Sequence, residues 1–269
     1  MKVSLCIPSF NSSIYIEELL KKIQSLNFIF EVIICDDFSN LENINTLKTI
    51  VNNFKKSSSI PVKLILNDIN EGAYVNKFKT VQQSSGNIIY LIDSDNLPME
   101  NFDKLIQKLI NNFDKDTIYF PFMVYQFKTF PKLAKLGSIL QDKYKVKFFD
   151  GDRTINFSDT QKYLKQYEQG INTFSIDKNI IWFLNVGNFI VDRDLFLSIF
   201  EPGLKLTRDK LAVDAIGFSY FWLKSGRKIK SLNNFYHYHR KRMDSVSFME
   251  KENYNLSKDY FLDLFTAGK

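Results

Sequence analysis

Hydrophobic positions in the first half of the chain alternate between two periods. "KVSLCIP" is a short apolar run, and it is followed by Ile16, Leu19, Leu20, Ile23 and Leu26, which share one face at helical spacing. "FEVIICDD" is a second apolar run, followed by Ile44, Leu47, Ile50, Val51 and Phe54 at the same spacing. "PVKLILN" then precedes Val75, Phe78 and Val81, "NIIYLID" precedes Phe102, Leu105, Ile106 and Leu109, and "TIYFPFMVYQF" closes the series. Strands apolar on both faces, alternating with amphipathic helices, predict an α/β fold with a mostly parallel sheet covered on both sides. Right-handed crossovers then open a crevice at the C-terminal ends of the strands.

From about residue 126 the pattern loosens into charged pieces without a clean period. "IIWFLNVGNFIVDRDLFLSIF" resumes strand and helix signals, and "LAVDAIGFSYFWLKSG" predicts a helix stopped by Gly226. "RKIKSLNNFYHYHRKR" reads as a basic, aromatic strand, and "NLSKDYFLDLFTAGK" as a short amphipathic helix.

Composition narrows the function classes. The 269 residues, 45% hydrophobic, suffice for one good core, or one core and a smaller lobe. The net charge of +6 comes from 36 basic and 30 acidic residues mixed along the chain, and only "HYHRKR" is locally basic. That argues against a nucleic-acid partner and suits an anionic small molecule or a weak contact with an anionic membrane face. Cys6 and Cys35 lie in apolar runs without metal spacing, which predicts buried, reduced thiols. The apolar run at the N-terminus is broken by Pro8, and no segment reaches the roughly 18 apolar residues of a membrane span. The expectation is a soluble, cytoplasmic protein, at most peripheral to a membrane.

The chemistry-bearing residues gather at the strand ends. The first strand ends in Pro8-Ser9-Phe10-Asn11, the second in Asp36-Asp37, the third in Asn67-Asp68 and the fourth in Asp93-Ser94-Asp95. Asx residues at a single strand end are ordinary turn formers. Four such ends on one sheet edge instead predict a site. Paired carboxylates are hard oxygen ligands for Mn²⁺ or Mg²⁺, ions that keep substrate phosphates in their shell. Lys77 is the nearest basic residue in this half.

With those residues in view, the chain resembles inverting glycosyltransferases of the GT-A fold, family 2 type. Residues 1–110 carry the resemblance well and about 183–247 more loosely. "VSLCIPSFNSSIYIEELLKKI" is similar to that family's opening strand and helix, "EVIICDDFS" to its second strand, and "LNDINEGAYVNKFKTVQQSSGNIIYLIDSDNLP" to its Asn-x-Gly turn, next helix and DxD motif. The resemblance implies a Rossmann-like GT-A sheet divided into four parts. Residues 1–125 form the nucleotide-sugar half, 126–182 an insertion or variable acceptor-side region, 183–248 the acceptor and catalytic-base half, and 249–269 a tail helix.

It also implies roles. Asp37 would read the base of a UDP-sugar, flanked by Pro8, Ser9 and Asn11, with Asn70, Gly72 and Lys77 on the donor side. Asp95 and Asp93 would hold Mn²⁺ or Mg²⁺ on the diphosphate beside Ser94, and Asp214 would deprotonate the acceptor hydroxyl, with Asp209 as fallback. Where many relatives have Arg-Asn this chain has Val75-Asn76-Lys77, and where many have Glu-Asp it has Val213-Asp214. Gly187, Asn188 and Arg240 belong to loops over the site, and His239 to the metal. His237 and His239 share a strand face by alternation. Trp182 and Trp222 are candidates for stacking on a sugar or for the core. The acceptor would be a glycan, glycolipid or protein. Two rivals stand beside this reading: a nucleotidyltransferase, disfavoured because "PSFNSS" has neither Gly nor Lys, and a non-catalytic sugar-nucleotide or glycan-binding module.

Overall fold

The computed structural model describes residues 1–128, 143–147, 152–168, 183–184, 186–207, 214–241 and 251–267. Among them, ten strands form one mixed sheet: β1 (Val3–Ser9), β2 (Ile29–Asp36), β3 (Val62–Leu66), β4 (Ile88–Leu91), β5 (Leu97–Pro98), β6 (Thr117–Lys128), β7 (Lys143–Lys147), β8 (Arg153–Ile155), β9 (Phe189–Asp192) and β10 (Lys228–Lys241). The order is β3-β2-β1-β4-β9-β6-β10-β5, with β7 on β6 and β8 on β10. Strands β1 to β4, β6 and β10 run in one direction. Strand β9 is inserted antiparallel between β4 and β6, pairing Ile88 with Asp192 and Tyr119 with Ile190. The expected boundary at 125/126 falls inside β6.

Alternation along each central strand divides the interior into two cores. Val3, Leu5 and Ile7 of β1 and Ile88 and Tyr90 of β4, continued by Ile92, face helices α1 (Ser13–Ile23), α2 (Leu41–Ser57) and α4 (Phe102–Ile110). Cys6, Ile33, Ile89 and Leu91 face the other side. There they meet α3 (Ala73–Gln82), α6 (Arg193–Phe200) and α8 (Ala215–Lys224), with α5 (Phe157–Glu168) and α9 (Lys251–Thr266) packed behind. The short α7 (Gly203–Thr207) lies against α3. The helix periodicity read from the sequence is therefore the periodicity of burial.

The second core is aromatic. Phe189, Phe196, Phe200 and Phe218 make ring contacts at centroid distances of 4.5 to 6.2 Å, and Tyr74 stacks on Phe218 at 4.3 Å. Trp222 is fully buried with its indole N–H on the Lys228 carbonyl at 2.8 Å, so it is a core residue and not a sugar platform. Gly226 takes φ +83° just beyond α8 and ends it, as its place in the sequence predicts. Cys6 and Cys35 are buried free thiols. Among the described residues, no helix is long and apolar enough to cross a membrane.

Candidate active site

The parity of the central strands decides where each acid points. Asp37 continues the face of Ile33 and Cys35, and Asp93 that of Ile89 and Leu91, so both turn toward α3. Ser94 continues the opposite face, that of Tyr90 and Ile92, toward α1. The ladder extends beyond the strands to present them. Asp37 N–H donates to the Ser9 carbonyl at 2.8 Å and Ile92 N–H to the Cys6 carbonyl at 3.0 Å, so the two acidic loops leave from either side of β1.

Several expected residues serve to build the crevice. The Asp37 carboxylate accepts from Asn67 Nδ2 (3.0 Å), Glu71 N–H (2.9 Å) and Gly72 N–H (2.8 Å), and so fastens the turn that opens α3. Burial pushes its pKa up, only partly offset by these donors. Asn70 Oδ1 accepts from the same Gly72 N–H, and Gly72 sits at φ +85°, a conformation suited to glycine. Pro8 lies within buried β1, and Asn11, at φ +46°, has its N–H on Ser39 Oγ and its side-chain oxygen on Asn40 N–H. A buried hydroxyl chain runs from Ser94 through Ser12 to Ser9 and on to Asp36 and Ser39. Ser12 and Asn76 join the crevice without a signal in the sequence. Asn76 Nδ2, on α3, donates to the Cys35 and Ser9 carbonyls, and a lone Asn within a helix or Ser before one carries no local sign of such a role.

Arg240, expected over the donor, is committed elsewhere. Its guanidinium bonds Glu18 (2.6 Å) and the Asp95 carbonyl (3.1 Å) and covers the Tyr15 ring at 4.5 Å. It is a buried clamp beneath the Asp93–Asn96 turn, on the strand face opposite His237 and His239. The two histidines do share a face, with ring centroids 6.2 Å apart, and both bear electrostatically on Asp93. His237 is buried, and burial together with His239 lowers its pKa to about 3.

The centre of the site is Lys77. Its ammonium lies 2.8 Å from Asp93 Oδ1 and is ion-paired with Asp214 Oδ2, with only 6% of the side chain exposed. Burial works against the charge, but Asp214 and then Asp93 outweigh it and hold the ammonium protonated. The same pairing holds Asp93 below the usual carboxylate range despite its own burial. Asp214 occupies the residue before α8 where an N-cap would sit, yet its side chain makes no cap hydrogen bond. It turns to Lys77 instead.

Asn188 Oδ1 accepts the Asp93 N–H at 2.7 Å, and the Gly187 backbone approaches Asp93 and Lys77 closely. A Cβ on Gly187 would lie 2.5 Å from Asp93 Oδ2 and 3.1 Å from Lys77 Nζ. Asp209 and Trp182 lie outside the described residues.

The carboxylates of Asp93 and Asp95 are hard oxygen donors of the kind that suit Mn²⁺ or Mg²⁺. Among the described residues, no group of three or more His, Cys, Asp or Glu side chains, His239 included, is placed to hold a metal ion by itself. Such ions take part of their shell from substrate phosphates, so an open set is chemically compatible with them.

Comparison with known proteins bears on the family and the fold. The family model for glycosyl transferase family 2 matches residues 4–175. An uncharacterized glycosyltransferase of Haemophilus influenzae is 30% identical over 121 residues, 44% of this chain and 38% of that protein. A GalNAc(5)-diNAcBac-PP-undecaprenol beta-1,3-glucosyltransferase of Campylobacter jejuni is 32% identical over 110 residues, 40% of this chain and 34% of that protein. Each match spans little more than a third of the relative's length. Among solved structures, S. aureus TarS 1–349 in complex with UDP-GlcNAc superimposes with TM-score 0.62 at 17% identity, over 98% of this chain and 71% of that one. GalNAc-T7 with UDP, GalNAc and Mn²⁺ gives 0.60 at 16% identity, over 99% and 50%. These likenesses establish the GT-A fold.

Proposed function

We propose that this chain, which belongs to glycosyl transferase family 2, is a glycosyltransferase that moves a sugar from a UDP-sugar to an acceptor hydroxyl with inversion and with the help of a divalent cation. The observation that carries this is the position of Asp214. It comes from the far half of the chain, declines the helix cap open to it, and reaches the same buried ammonium as Asp93. A donor-side acid and an acceptor-side acid therefore flank one small volume.

In this reading the acceptor oxygen attacks C1 of the sugar as the bond from C1 to the diphosphate oxygen breaks, and the hydroxyl proton passes to Asp214. Attack from the face opposite the leaving group inverts the anomeric centre, through a transition state of oxocarbenium character. Asp93 and Asp95, with His239 beside them, would hold Mn²⁺ or Mg²⁺, which when bound neutralises charge building on the diphosphate. Asp37, Asn70 and Gly72 shape the base end of the crevice. The Campylobacter relative is named for a polyprenyl-diphosphate-linked acceptor, which makes a lipid-linked glycan the acceptor class to try first.

The test is nucleotide release from UDP-, GDP- and dTDP-sugars with Mn²⁺, Mg²⁺ or a chelator, with and without lipid-linked and free glycans. UDP release should need the cation. Asp214→Asn should lower it about 10²- to 10⁴-fold, the range expected for a lost general base, while UDP still raises the melting temperature. Full transfer by both Asp95→Ala and Asp214→Asn would sink the assignment, and a preference for GDP would overturn the role given to Asp37.

A further inference from the structure

Lys77 does more than supply a positive charge on the donor side. Asp93 comes from the end of β4, Asp214 from the start of α8, and Lys77 from α3 between them. One ammonium group thus spans the acid assigned to the donor and the acid assigned to the acceptor. Asp214 is 16% exposed at its side chain and Asp93 32%, so Asp214 is the more covered of the two. An Oδ2 occupied by the ammonium does not simultaneously face an acceptor hydroxyl. The Gly187 backbone packs close against both Asp93 and Lys77, where a Cβ would lie 2.5 Å from Asp93 Oδ2 and 3.1 Å from Lys77 Nζ, while Asp214 stands at the residue before α8.

A donor diphosphate brings several negative oxygens to this crevice. They compete with Asp214 for the same cation. Lysine is suited to such an exchange because its ammonium is a rotatable point charge on a flexible four-carbon stem.

We propose that Lys77 is a positioning residue that couples donor binding to exposure of the base: its ammonium covers Asp214 before the donor binds, and the donor diphosphate draws it away so that Asp214 meets the acceptor. The idea rests on the donor site and base described under Proposed function. It adds an order to the reaction, since the acceptor meets an open base only after the diphosphate has arrived. Asn188 holds the Asp93 backbone through the Asp93 N–H while Lys77 moves, and the Gly187 backbone packs close against the Asp93 carboxylate.

The experiment uses UDP as the probe, with and without Mg²⁺. In a crystal structure of the UDP complex, Lys77 Nζ should lie within hydrogen-bond distance of a diphosphate oxygen and beyond 4 Å from both Asp214 oxygens. Calorimetry should show Lys77→Met weakening UDP about tenfold or more, the loss expected for one charge-assisted contact, with Lys77→Arg within about threefold of the wild type. Uridine, which lacks the diphosphate, should bind all three proteins alike. With a competent acceptor, Lys77→Met should raise the donor KM and Lys77→Arg restore it, a split that a packing role alone would not produce.

Lys77 still paired with Asp214 in the UDP complex would overturn the proposal and leave the glycosyltransferase reading intact. Equal UDP affinity in Lys77→Met and the wild type would do the same. Failure of UDP to bind any of the proteins would instead remove the donor site on which both readings stand. If Lys77→Met does not fold, the crystal structure and the arginine variant still decide the matter.

Discussion

Gly187→Ala tests the site geometry with a single methyl group. The new Cβ would lie 2.5 Å from Asp93 Oδ2, 3.2 Å from Asp93 Cγ and 3.1 Å from Lys77 Nζ. Ordinary contact begins near 3.4 Å, so the Asp93 carboxylate must retreat by about 1 Å, because the Asn188 bond holds its backbone. A displacement of about 1 Å in a catalytic constellation costs on the order of 10²-fold in rate, equivalent to about 2.7 kcal/mol on the barrier. Stability should fall less, by about 1–2 kcal/mol, because Asp93 is 32% exposed at its side chain and has room to turn outward. For a chain of this size that corresponds to a drop in melting temperature of several degrees. The assay is UDP release from the preferred donor, read beside the thermal melt of the same preparation. An alanine variant within threefold of wild-type activity and with an unchanged melt would show that Gly187 is not there for close approach, and the placement of Asp93 would be wrong.

Two further outcomes follow from features away from the reacting atoms. Glu100 accepts from the Tyr236 and Tyr238 hydroxyls at 2.7 and 2.6 Å, and although burial raises its pKa these bonds outweigh it and bring it to about 2. A depressed folded pKa contributes stability above the unfolded value of 4.5 that is lost as pH falls toward 2. The group is 54% exposed, so the contribution should be a fraction of the shift, about 0.5–1 kcal/mol. Urea midpoints of the wild type and Glu100→Gln should therefore differ at pH 6, draw together below pH 4.5 and converge only as pH reaches about 2, and a constant gap would contradict the assignment. Phe38 sits at φ +64° with its ring 55% exposed, a left-handed conformation costly for a bulky residue. Relief of that strain exceeds the extra chain entropy of glycine, so Phe38→Gly should stabilise by about 0.5–1 kcal/mol in denaturant melts, and a loss of stability would mean that the ring has packing value.

The two periods of the first half were legible residue by residue, and with them the strands, helices and common edge at which Ser9, Asp37, Asp93 and Asp95 end. These are local properties: period-2 and period-3.6 patterning decides which face is buried, and strand parity decides which way each terminal side chain turns. The stop at Gly226 and the shared face of His237 and His239 were legible for the same reason. Which distant residues meet came from the fold. The insertion of β9 between β4 and β6 brings Asn188 to Asp93, and the packing of α8 against the α3 side of the sheet brings Asp214 to Lys77. It also turned Arg240 away to Glu18 and Tyr15, and placed Trp222 in the core. Such partnerships depend on ångström-scale separations between residues far apart in the chain, set by register and helix packing. A residue's type and neighbours say what chemistry it can do. The fold decides which carboxylate a buried lysine neutralises.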